Sequence, residues 1–73
     1  MVYPIQIKDT REAIKICKEA AIADLGVTVS CGTIIIDPRS MLGLMALVGK
    51  KVLIVAPDHS NPDRFTEFIK RIS

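Results

Sequence analysis

The sequence predicts an α+β fold, an open-faced two-layer βαββαβα sandwich in which a four-stranded antiparallel sheet carries three helices on one face. Two kinds of periodicity and their order lead there. Residues 2–7, 27–31, 34–36 and 52–56 either alternate apolar with polar residues or run as β-branched apolar tracts. Residues 10–25, 40–48 and 62–72 hold apolar residues at helical spacing between capping residues and glycines. A ferredoxin-like sandwich with an added C-terminal helix is the topological rival.

The 73 residues make one domain, 1–73, near the size at which a single core only just offsets chain entropy. With 49% apolar and 25% charged residues, the composition is that of an ordinary globular protein. Ten basic and eight acidic residues leave a net charge of +2, without a block of like charge or interleaved aromatic and basic residues, which argues against nucleic acid as the main ligand. No apolar run approaches the ~18 residues of a membrane span, and no basic segment precedes an apolar one at the N-terminus. A soluble, cytoplasmic protein without membrane insertion is expected.

In the first strand Tyr3, Ile5 and Ile7 alternate with Pro4 and Gln6, and Pro4, lacking an N–H, suits an edge. Asp9 is the expected N-cap of the first helix, with Glu12 three residues on as in a capping box. Ala13, Ile14, Cys17, Ala20, Ala21 and Leu25 form its expected inner stripe, with Lys8, Arg11, Lys15, Lys18 and Asp24 outside and Gly26 as the stop. Val27, Val29 and Cys31 alternate with polar residues, Gly32-Thr33 turns, and Ile34-Ile35-Ile36 returns as the second arm of a hairpin.

Asp37-Pro38 ends that strand and Ser40 offers an N-cap. Eight residues, Met41 to Val48, follow without a charge before Gly49. Leu44 and Leu47 lie on one side of this helix and Met41, Leu42 and Met45 on the other. One buried face of a short helix does not need so much apolar surface, and flexible thioethers suit a surface that adapts to protein partners. Val52 to Ala56 reads as a central strand and Pro57 ends it. In the last helix Asn61 is the N-cap, Pro62 the first residue, and Phe65, Phe68, Ile69 and Ile72 the core stripe.

Chemistry-bearing residues are few. His59 is the single histidine; in Asp58-His59-Ser60, consecutive loop side chains diverge, whereas a triad needs them within hydrogen-bond reach, so a solvated loop histidine is expected. Cys17 and Cys31 are expected as buried or half-buried thiols without a disulfide, and no CxxC or histidine cluster suggests zinc. No cofactor, metal site or catalytic residue is assigned. Ile34 to Ile36 and Leu53 to Val55 are apolar on both faces of a sheet that helices cover on one, which makes Ile35, Leu53 and Val55 a candidate homodimer face, with local cover by long side chains as the alternative.

The segment Asp37-Pro38-Arg39-Ser40-Met41-Leu42-Gly43-Leu44-Met45-Ala46-Leu47, together with the element order, resembles the histidine-containing phosphocarrier (HPr) family of the bacterial sugar phosphotransferase system. The likeness centres on that family's basic-Ser-Ile-Met-Gly-Leu-Leu-Ser-Leu segment. It implies an edge position for the first strand and a docking patch for partner proteins, phosphotransferase-system components among them, on the second helix. It also implies a regulatory phosphorylation site at Ser40, where a helix N-terminus and Arg39 would favour phosphate. The family's phosphorylatable histidine precedes the first helix in a Gly-x-His-x-Arg-Pro segment. Here Ile7-Lys8-Asp9-Thr10-Arg11-Glu12 sets Asp9 at the histidine position and Arg11 at the arginine. The expected function is therefore a non-enzymatic, HPr-like interaction or regulatory module that docks partners through Arg11, Ser40, Met41, Leu42 and Met45. The alternative is a phosphocarrier using Asp9 or His59 as a non-standard acceptor, although an acyl phosphate on Asp9 would need a metal held by neighbouring acids.

Overall fold

Alternation and capping shape the chain much as expected in the computed structural model, which describes residues 1–73. Strand β1 spans Val2–Gln6, helix α1 Thr10–Ala23, β2 Thr28–Cys31, β3 Ile34–Ile36, α2 Met41–Met45, β4 Lys51–Val55 and α3 Pro62–Ile72. The strands form one antiparallel sheet in the order β1-β4-β2-β3. The apolar run of β4 takes an inner position between β1 and β2, and β1, with Pro4 opposite Leu53, lies at an edge.

Alternation decides the two faces of the sheet. Val29, Val52 and Ile54 are buried and join Ile7, Ile16, Ala20, Leu44, Phe65 and Phe68 in one core between the sheet and the three helices. The opposite face is open. Val2 is 58% exposed there, Ile35 69% and Leu53 41%.

Each helix starts at the cap the sequence marks. The Asp9 carboxylate accepts the Glu12 N–H at 2.9 Å, and Glu12 Oε1 accepts the Lys8 N–H at 2.7 Å, a reciprocal arrangement that reaches one residue beyond the cap. Asn61 Oδ1 accepts the N–H groups of Asp63 at 2.8 Å and Arg64 at 3.3 Å, and Phe65, Phe68 and Ile72 are buried while Ile69 is half-buried.

Two elements depart from expectation. Helix α1 stops at Ala23 because Asp24 adopts the left-handed conformation, with φ of 50°, before Gly26. Its buried stripe is Ala13, Ile16 and Ala20; Ala21 is exposed, so the expected stripe omitted Ile16 and was displaced toward the wet side. Both flanks of α1 are covered, by α2 and by α3, and that centres the stripe on Ile16. Helix α2 ends at Met45 rather than 48. From there the bonds tighten to i→i+3, the Leu47 N–H reaching the Leu44 carbonyl at 3.0 Å and the Val48 N–H the Met45 carbonyl at 3.3 Å, until Gly49 at φ of 88° turns the chain into β4.

Candidate functional site

Three backbone and side-chain ties hold α2 beside α1. The Gly49 N–H donates to the Ile7 carbonyl at 2.6 Å and the Ile7 N–H to the Lys50 carbonyl at 3.2 Å, joining the chain after α2 to the segment before α1. At the other end of α2, Cys17 Sγ donates to the Arg39 carbonyl at 3.3 Å. The two helices therefore lie side by side in opposite directions, and Arg11, exposed on the first turn of α1, belongs to the end that faces the C-terminal side of α2.

Along α2 and the turn that follows it, the spacing sorts the side chains by burial. Leu44 and Leu47 are buried in the core. Leu42 is 86% exposed, the most exposed large apolar side chain in the molecule, and Met41 and Met45 flank it half-buried, with Met45 packed against the core. Gly43 lets the helix sit close to β3: a Cβ there would lie 3.2 Å from Ile36 Cδ1 and 3.5 Å from Ile36 Cβ. Ser40 is exposed and its Oγ accepts the Gly43 N–H at 3.3 Å, so the expected cap is formed.

Sequence reasoning missed the pair in front of this helix. Asp37 Oδ1 accepts the Arg39 N–H at 2.9 Å, an Asx turn across Pro38, and its carboxylate meets the Arg39 guanidinium through Nε at 3.2 Å and Nη2 at 2.8 Å. The signal was present in the spacing Asp-Pro-Arg. Hydrogen bonds from the guanidinium, then from the Arg39 N–H, hold the Asp37 carboxyl below the usual carboxylate range, and the carboxylate raises the guanidinium pKa in return. Arg39 is thus engaged by Asp37 beside Ser40, and a phosphate on Ser40 would compete for it.

The other candidates lie apart from this surface or serve local structure. Asp9 caps α1. His59 is exposed on the loop between β4 and α3, where its neighbours diverge: the Asp58 carboxylate is 3.9 Å from the Met1 amino group, and Ser60 Oγ donates to the Leu25 carbonyl at 3.4 Å. Cys17 and Cys31 are half-buried free thiols. No three His, Cys, Asp or Glu side chains come together as a metal site requires. No helix is long and apolar enough to cross a membrane. Ile35, Leu53 and the half-buried Val55 share the open face of the sheet, away from α2. Compared with protein-family models, with curated proteins and with solved structures, the chain matches none.

Proposed function

We propose that this chain is an HPr-like protein-interaction or regulatory module of the cytoplasm, one that docks partner proteins through α2 and carries no phosphoryl group on histidine. The observation behind the reading is the exposure of Leu42 at 86% between two half-buried methionines, on a helix whose packing is already supplied by Leu44 and Leu47. An apolar side chain so exposed gains by leaving water only when a partner covers it, by about 1.5–3 kcal/mol for full burial. Met41 and Met45 adapt to the shape of that partner, and Arg11 adds a cation at the rim.

Two further points agree with the resemblance to the phosphocarriers. Strand β1 is at the sheet edge that the resemblance implies, and α2 is capped by the serine of the shared segment. At the position of the family's histidine stands Asp9, whose carboxylate is occupied as a helix cap. The partners that follow from this reading are components of the sugar phosphotransferase system.

Incubation with the general phosphotransferase enzyme and phosphoenolpyruvate tests the reading. The expected result is a complex between the two proteins, weakened at least tenfold by Leu42→Asp, with no acid-labile phosphate on this chain. Stoichiometric phosphorylation at Asp9 or His59 would make the chain a phosphocarrier and overturn the proposal.

A further inference from the structure

We draw no further inference here: the strongest candidate, the open depression of about 550 Å³ among Pro4, Gln6, Ser30, Lys51 and Leu53 on the outer face of the sheet, carries nothing because no observation in the structure shows what covers it.

Discussion

Single residues here are most informative where they close local rings of hydrogen bonds. Folding holds the Asp37 pKa below its unfolded value, so the stabilisation from its bonds to Arg39 is present above the ordinary carboxylate range and is lost as pH falls through the lowered folded value. Both side chains are solvent-exposed, which keeps the effect on overall stability small. A carboxyl titration followed by NMR should therefore find Asp37 below the usual carboxylate range, and Arg39→Ala should raise it toward that range. Asn61, with two N–H groups on one oxygen, is a stronger structural residue: Asn61→Ala should cost about 1 kcal/mol in urea unfolding. Caps of this kind are legible in sequence because the side chain acts on residues two or three positions away. Asp37–Arg39 obeys the same rule, yet Asp37-Pro38 also reads as a strand terminator, and that role concealed the turn.

At the scale of the element, α2 buries Leu44, leaves Leu42 in solvent and holds Met41 and Met45 half-buried between them. Leu44→Ala empties a fully buried site and should cost about 2–5 kcal/mol, whereas Leu42→Ser should change stability by no more than about 0.5 kcal/mol. Chemical denaturation of the two variants measures the contrast, and equal losses would mean that Leu42 serves the fold. Gly43→Val should cost about 1–3 kcal/mol, because a side chain there has to displace Ile36 on β3. The inner and outer residues of α2 were legible because i, i+3 spacing distinguishes Leu44 and Leu47 from Leu42 and Met45. Its length was not: an uncharged run carries no mark of where i→i+4 bonds give way to i→i+3. In α1 Ile14, Ile16, Cys17, Ala21 and Ile22 leave the apolar stripe ambiguous in sequence, and only the neighbours α2 and α3 decide that Ile16 goes inside.

The whole molecule has one core shared by every element, and at 73 residues the usual scale per residue leaves a margin of about 4–11 kcal/mol. Phe68, buried where α3 meets the core, should be close to indispensable: Phe68→Ala should cost about 3–5 kcal/mol and bring the thermal midpoint down by more than 10 °C. The division into a covered and an open face follows from period-two alternation, and Pro4 suits the edge place of β1, whereas the full order β1-β4-β2-β3 is set by packing that alternation does not record. Nor do the occupants of the outer surfaces follow from it, since an exposed leucine carries no record in sequence of what covers it. The central claim concerns one such surface, α2. The most direct measurement is a titration of isotope-labelled chain with the general phosphotransferase enzyme, followed by NMR. The account predicts that the resonances of Met41, Leu42, Met45 and Arg11 shift together and saturably. Shifts confined to Asp9 or the His59 loop, or none with the enzyme in excess, would contradict it.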